Sequence, residues 1–446
     1  MAGIYKAYDI RGVYNKDWNK EEAYKIGCFL PTLLEAKKIV VGRDVRASSE
    51  EIFTALTEGI TDAGCDVYSI GLSSTPMVYF STVKYDMDGS VMITASHNPP
   101  EYNGLKVSSK LAKPVGYDTG LNKLEEMVRK NDFSKSSVKG KIHELNIKED
   151  YLSHLHGFAK NIKPLKVVID TANGMGGLII PDLLKDLGFN VIKMYSELDG
   201  TFPNHLPDPL KQENLNDLMK KVTETGADLG IAIDGDGDRV MFIDENGRYI
   251  SADLVIPVLG KVLLEEQKGY VLYDVRSSRS VPEEIEKMGG TPYMWMVGHA
   301  FMKKKLRELD GIYGGELAGH YYFKDNFYTD SGVVALLTVL SALSKDGRKF
   351  SEIINDIKHY NFSGEINFKV EDKKEKMEEI KEKYSDGKLI EIDGIRIEYD
   401  NYWFNVRPSN TEPYLRLVVE ADTEELMNRK IEELTSIINN EKAMNA

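Results

Sequence analysis

With 446 residues, 42% apolar and 29% charged, the chain is long enough for three or four domains of about 100–200 residues each and has the make-up of a soluble globular protein. Its formal net charge of −14 excludes a surface built to displace counterions from nucleic acid, so an anionic ligand must meet a local basic pocket. Two cysteines, Cys28 and Cys65, exclude a disulfide framework and fit packing roles in a reducing cytoplasm.

The first residues lack the apolar core of a signal peptide. A strand–helix–strand unit follows: Lys38 to Asp44 as strand, Ser49 to Ala63 as helix, Gly64, then Asp66 to Ile70 as strand. After it, Thr94-Ala-Ser-His-Asn-Pro-Pro-Glu-Tyr-Asn-Gly-Leu-Lys106 ends an apolar strand with one hydroxyl, Ser96, ahead of the chain-breaking Asn98-Pro99-Pro100. Serine is a weak nucleophile until its surroundings activate it or load it with a group to pass on.

The unit recurs at Lys166 to Asp170, Leu178 to Leu187, Gly188, and Asn190 to Met194. Beyond it, the apolar strand Leu229 to Ile233 runs into Asp234-Gly-Asp-Gly-Asp-Arg239, followed by a strand from Val240 to Asp244. Alternating Asp and Gly lets the backbone curl until three carboxylates converge, a donor set for Mg²⁺ or a similar hard cation. A calcium EF-hand count from Asp234 reaches Glu245 at its twelfth position, but Arg239 stands where that loop needs Gly, and the flanks are strand-like. A purely structural turn needs only one or two such residues.

A third copy covers Tyr270 to Asp274, Val281 to Met288, Gly289, and Pro292 to Met296, with His299 just past its end. Three such units predict three related α/β domains, each helix closed by its Gly in a left-handed cap. The loop Gly314-Gly-Glu-Leu-Ala-Gly-His320 offers a carboxylate, Glu316, able to accept from vicinal sugar hydroxyls. Val333 to Leu343 is too short to span a bilayer and reads as a buried helix. After about residue 360 the pattern changes: a charged helix from Glu371 to Lys383 with solvated i,i+4 pairs, strands around Lys388 to Glu398, Tyr402 to Val406 and Tyr414 to Glu420, and a helix from Thr423 with Asp422 as N-cap. Within it, Arg407-Pro-Ser-Asn-Thr-Glu-Pro413 gathers Arg407, Ser409, Asn410 and Thr411, with Arg416 close behind. Guanidiniums and short neutral donors on a turn suit a phosphate dianion. A capped Asx/Ser turn would leave the two arginines unexplained.

The four clusters, in this order and across essentially the whole chain, resemble the α-D-phosphohexomutase superfamily, with its phosphoserine, metal, sugar and phosphate loops on successive domains. Ser409-Asn-Thr-Glu-Pro413 and Leu317 resemble the phosphomannomutase/phosphoglucomutase branch; a phosphoglucosamine mutase is the alternative. The resemblance implies an α/β fold: three related domains with mixed sheets between helices (1–145, 146–249 and 250–360), plus a smaller α+β domain (361–446), around a central cleft. It implies that Ser96 carries a phosphoryl group and that Asp234, Asp236, Asp238 and an oxygen on Ser96 bind Mg²⁺. Arg11, Lys106, Arg239 and His320 are expected around Ser96, one of them as base. Tyr8, Arg276, His299 and Glu316 are expected to face the sugar, and Arg407, Ser409, Asn410, Thr411 and Arg416 its phosphate. Hexose 1,6-bisphosphate is then intermediate and primer, and the partners are small hexose phosphates, without nucleic acid or membrane; the oligomeric state stays open.

Two departures stand out: Ala318 where relatives often carry Ser, and Arg276 where some carry Lys. A serine hydrolase is disfavoured because His97 would face away from Ser96 on an extended segment and no Gly-x-Ser-x-Gly elbow exists. A metal-dependent phosphatase would release phosphate in excess of mutase flux. A non-enzymatic sugar-phosphate-binding protein would need the phosphate loop and Glu316 but neither Ser96 nor the three aspartates.

Overall fold

The computed structural model describes residues 3–409 and 414–439. Three mixed sheets share one kernel. In the first, Lys38–Arg43 is flanked by Asp66–Leu72 and Gly89–Ile93, both parallel to it, and Tyr102–Ser109 runs antiparallel beyond Gly89–Ile93. In the second, Lys166–Asp170 lies between Asn190–Met194 and Leu229–Ile233, with Val240–Ile243 antiparallel outside. In the third, Tyr270–Asp274 lies between Thr291–Trp295 and Tyr313–Gly315, with Tyr321–Phe323 antiparallel outside. Central parallel strands covered by helices on both faces must be apolar throughout, and Val167, Val168, Ile169, Leu229, Ile231, Val271 and Leu272 are all buried.

The glycine closures are equivalent in all three units. Gly64, Gly188 and Gly289 have φ of +85°, +86° and +76°, and the next N–H donates back to Ile60, Leu184 and Ile285 respectively, a Schellman closure. The second helix differs from expectation: it spans Ile180–Asp186, because Met175–Leu178 form a 3₁₀ turn and Pro181 sits in the first helical turn. Gly332–Asp346, capped by Ser331, is buried from residue 332 through 344, in a core shared by the second and third sheets.

The fourth sheet is antiparallel, in the order Asn361–Phe362, Tyr414–Ala421, Tyr402–Pro408, Ile395–Glu398, Lys388–Ile390. It packs Phe404, Val406, Leu417 and Val419 against Ile380 and Leu434 of two helices, Lys373–Lys383 and Glu424–Ile438. The region around 388–398 is two strands, divided by a turn with Gly394 at φ +67°. The last helix is capped by Thr423, whose extended backbone lets its hydroxyl accept from the Leu426 N–H, and not by Asp422. Among the described residues, the ion pairs of the charged helix run i,i+3 (Lys376–Glu379) or to other elements (Lys381–Glu391), not i,i+4. Both cysteines are buried and unpaired, and no helix among the described residues is long and apolar enough to cross a membrane.

Candidate active site

The Ser96, Asp234 and Glu316 loops all join the third kernel strand of their sheet to the antiparallel fourth. One topological position, used three times, thus directs three loops into one cleft at strand carboxyl ends. Ser96 adopts φ +51°, a left-handed conformation uncommon outside Gly, Asn and Asp. Its Oγ donates to Asp234 Oδ2 at 3.0 Å and accepts from an Arg239 guanidinium nitrogen at 3.2 Å. The loop is held from below by Arg46, which is 2% exposed and donates to the carbonyls of Ser96, Asn98, Pro99 and Tyr102 at 2.6–3.1 Å. Arg11 reaches it from the amino terminus, donating to Asn98 Oδ1 at 2.7 Å and pairing with Asp9.

Asp234, Asp236 and Asp238 are fully buried, with ligand oxygens within 4.8 Å of one another. Gly235 is required there because a Cβ would lie 2.4 Å from the Ser96 carbonyl oxygen, and Gly237 turns at φ +77°. Lys106 donates to Asp236 at 2.6 Å and Asp238 at 2.5 Å, and Arg239 pairs with Asp234 at 3.1 Å. Burial and the repulsion of Asp238 and Asp236 push the Asp234 carboxyl well above the usual range. Burial pushes Asp236 the same way, but Lys106 and the hydroxyl of Thr75 bring it below. Among the described residues, Oδ1 of Asp236 and of Asp238 have no hydrogen-bond partner. Orphaned, converging, hard oxygens fit Mg²⁺.

His97 departs from expectation. Because Ser96 turns left-handed instead of continuing an extended segment, His97 Nδ1 lies 3.2 Å from Ser96 Oγ. That nitrogen also accepts from Arg239, and burial together with Arg239 and Arg11 holds its pKa well below the ordinary histidine value. A ring nitrogen already occupied by a guanidinium is a poor base for Ser96.

His320 pairs backbone with Arg239 across the second and third sheets. Its ring stacks between His299 and Tyr322 at centroid distances of 5.8 and 6.2 Å, with Nδ1 2.9 Å from Asp330. Asp330 is held in turn by the fully buried Lys303, 2.9 Å away, which also donates to Tyr79. His299 opens the helix His299–Glu308, and its Nδ1 is buried without a hydrogen-bond partner among the described residues. Burial and Lys303 hold its pKa well below the ordinary histidine value. Tyr8 packs on the turn before it: a Cβ on Gly298 would meet the Tyr8 ring at 2.8 Å.

Both Glu316 oxygens are engaged, one by the Gly298 N–H at 2.8 Å and one by the Tyr322 hydroxyl. Burial raises its pKa. Each carboxylate oxygen keeps a second lone pair able to accept a further hydrogen bond. Arg276 is clamped on Asp274 through Nε at 3.1 Å and a terminal nitrogen at 2.7 Å, lies 4.0 Å from Glu316, and reaches Glu365 at 3.2 Å. Glu365 is approached also by Arg416 at 3.2 Å and Arg407 at 3.7 Å. Arg407 lies 3.6 Å from Asp393, whose carboxylate accepts from the Val297 N–H. Ser409 is buried, bonded through its N–H to the Tyr414 carbonyl. Asn410 and Thr411 lie outside the described residues.

Contacts therefore run unbroken from Ser96 through Asp234, Arg239, His320, Tyr322, Glu316 and Arg276 to Glu365 and Arg407. Sequence reasoning missed Arg46, Lys303, Asp330 and Glu365. A signal existed for Arg46: Asp44-Val-Arg46 in the first unit repeats Asp274-Val-Arg276 in the third, and in both the Arg pairs with the Asp two residues before it. None existed for Lys303 or Asp330, which lie in no motif.

Family models for phosphoglucomutase/phosphomannomutase match the chain in sequence: α/β/α domain I over residues 3–135, domain II over 149–247, domain III over 251–360 and the C-terminal domain over 365–436. A phosphomannomutase of Vibrio cholerae is 40% identical, covering 97% of this chain and 98% of its own length. One from Methanocaldococcus jannaschii is 39% identical over 98% and 97%. The crystal structure of a phosphoglucomutase/phosphomannomutase family protein from Burkholderia thailandensis superposes with a TM-score of 0.90 at 31% identity, covering 99% of this chain and 98% of that one.

Proposed function

The chain belongs to the phosphoglucomutase/phosphomannomutase family and is a phosphohexomutase, an isomerase, and from that premise we propose that it interconverts mannose 1-phosphate and mannose 6-phosphate, and the glucose pair, through a phosphate ester on Ser96. The observation that carries the reading is Ser96 Oγ within 3.0 Å of one of three converging aspartates. Mannose comes first because relatives at about 40% identity over the whole chain are phosphomannomutases.

In the first half-reaction the phosphate of a hexose 1-phosphate rests against Arg407 and Arg416, and the O6 hydroxyl attacks phosphoserine 96. The P–O bond to Ser96 breaks as the bond to O6 forms, and the O6 proton passes by way of a base to the freed Ser96 Oγ. The hexose 1,6-bisphosphate turns end for end. Ser96 Oγ then bonds to the phosphorus on O1 as the P–O1 bond breaks, its proton passes by way of the base to O1, and hexose 6-phosphate leaves. Asp234, Asp236, Asp238 and a Ser96-borne oxygen would hold Mg²⁺, which supplies charge stabilisation for the moving phosphoryl group. Arg239, 3.2 Å from Ser96 Oγ, adds fixed positive charge at the bridging oxygen. Lys106 and His320 line this end as candidates for proton transfer, His320 being steadied by Asp330. Glu316 reads ring hydroxyls.

Ser96→Ala tests the reading: a coupled assay should detect no interconversion, and intact-protein mass spectrometry should lose a species one phosphate heavier. Retained mutase flux in Ser96→Ala refutes it.

A further inference from the structure

The sugar-phosphate end contains a carboxylate that the catalytic cycle does not use. Glu365 follows Gly364, which turns at φ +69°, and lies between the third sheet and the fourth. One of its oxygens faces Arg276 at 3.2 Å and Arg407 at 3.7 Å, and the other faces Arg416 at 3.2 Å. Two oxygens spread over three guanidiniums are where a phosphate dianion would seat its own. Burial alone would raise the Glu365 pKa, but Arg276, Arg416 and Arg407 outweigh it and keep the group ionised.

Resting on the phosphate-cup reading above, we propose that Glu365 is a built-in stand-in for substrate phosphate: it occupies the arginine cup between turnovers, and the incoming phosphate displaces it. The fit is deliberately incomplete in chemical terms. The 3.7 Å separation from Arg407 exceeds hydrogen-bond range, and Arg407 Nε is buried without a hydrogen-bond partner among the described residues, so Glu365 does not use all the donor capacity of Arg407. A dianion with three oxygens fills it better. The Glu365 and Arg416 side chains keep 21% and 22% of their surface exposed, leaving a solvent route for exchange, whereas the Lys106–Asp236 pair is 6% and 0% exposed. The competition also limits how tightly the cup grips, which suits a site that must bind and release phosphate twice per turnover. Without Glu365 only Asp274, on Arg276, and Asp393, 3.6 Å from Arg407, would offset the three guanidiniums, and Arg416 would lose its 3.2 Å carboxylate contact.

The test is calorimetric titration of the full-length protein with inorganic phosphate at low ionic strength, for wild type, Glu365→Gln and Arg407→Ala. Glu365→Gln keeps the shape and removes the competing charge; its phosphate Kd should fall about tenfold, the scale of one charge-assisted contact. Arg407→Ala should raise it. Weaker or unchanged binding in Glu365→Gln, with Arg407→Ala still weakened, overturns the stand-in role and leaves the cup intact. Unchanged binding in Arg407→Ala overturns both. Crystals of the wild-type protein grown with inorganic phosphate decide independently of any variant: phosphate between Arg407 and Arg416 with Glu365 withdrawn supports the proposal, and Glu365 still bridging Arg276 and Arg416 beside bound phosphate overturns it.

Discussion

The two ends of the site solve opposite electrostatic problems. Around Ser96, three buried carboxylates face Lys106 and Arg239, and each ion pair is shut away from solvent. At the other end, three arginines face Glu365, Asp393 and the buried Asp274, with Arg416 and Glu365 partly in the open. The first end has an excess of acceptors and suits a cation; the second has an excess of donors and suits an anion. A phosphoryl donor must keep a fixed geometry throughout the reaction, because misplaced atoms cost rate steeply. A phosphate seat that serves two orientations of one sugar must instead let go. Damage at the Ser96 end should therefore appear in kcat, and damage at the arginine end in KM.

The largest expected effect comes from the metal loop. Asp238→Ala removes one carboxylate of the trio and leaves Lys106 with only Asp236; kcat should fall about a thousandfold with little change in KM, since the cup is untouched. Steady-state kinetics on mannose 1-phosphate check this. A large KM change with kcat preserved would mean that the two ends are not separable. A chelator should likewise stop turnover while the fold persists by circular dichroism, because Lys106 and Arg239 already offset most of the charge of the three aspartates.

A smaller effect is expected where the Ser96 end leans on the third sheet. Asp330 lies 2.9 Å from His320 Nδ1 and is itself held by the buried Lys303. Asp330→Asn keeps the volume and removes the charge that steadies the ring. Partners that orient a working histidine are worth about 10- to 100-fold where measured at metal sites, so kcat should drop by about that factor while phosphate affinity, set at the cup, stays constant. Full activity in Asp330→Asn would show that His320 is oriented by stacking on His299 and Tyr322 alone.

The same contrast explains what could be read from the residues. The Ser96 and Asp234 loops are legible because their chemistry is local: a hydroxyl at a strand end, and Asp alternating with Gly where a Cβ at Gly235 would strike the Ser96 carbonyl. The three kernels are legible because apolar strands and capping glycines recur at the same places. Glu365, Asp330 and Lys303 are silent, since each is an ordinary charged residue that acquires meaning only when another sheet brings its partner. His97 was misjudged for a local reason: periodicity presumes an extended backbone, and the left-handed turn at Ser96 breaks it.

The smallest effect concerns the middle of the cleft, where neither end dominates. Glu316 already accepts from Gly298 N–H and the Tyr322 hydroxyl, so under the proposed reading it would meet the sugar with half its lone pairs spent. Ala318 sits two residues on, in a loop tightened by the Glu316 N–H to His320 carbonyl bond and the Gly319 N–H to Glu316 carbonyl bond, both 2.9 Å. It is only half-buried, so a hydroxyl there is not sealed into the core. Ala318→Ser should add one neutral hydrogen bond to a ring hydroxyl, worth about 0.5–1.5 kcal/mol, or roughly a two- to tenfold lower KM. Because the contact forms with ground state and transition state alike, kcat should not move. Measuring KM separately for mannose 1-phosphate and glucose 1-phosphate sharpens the result: the two sugars differ at C2 alone, so an equal gain for both puts the new hydroxyl against C3 or C4, and a gain for one puts it against C2. No gain for either would mean that residue 318 faces away from the ring and that Glu316 reads the sugar unaided.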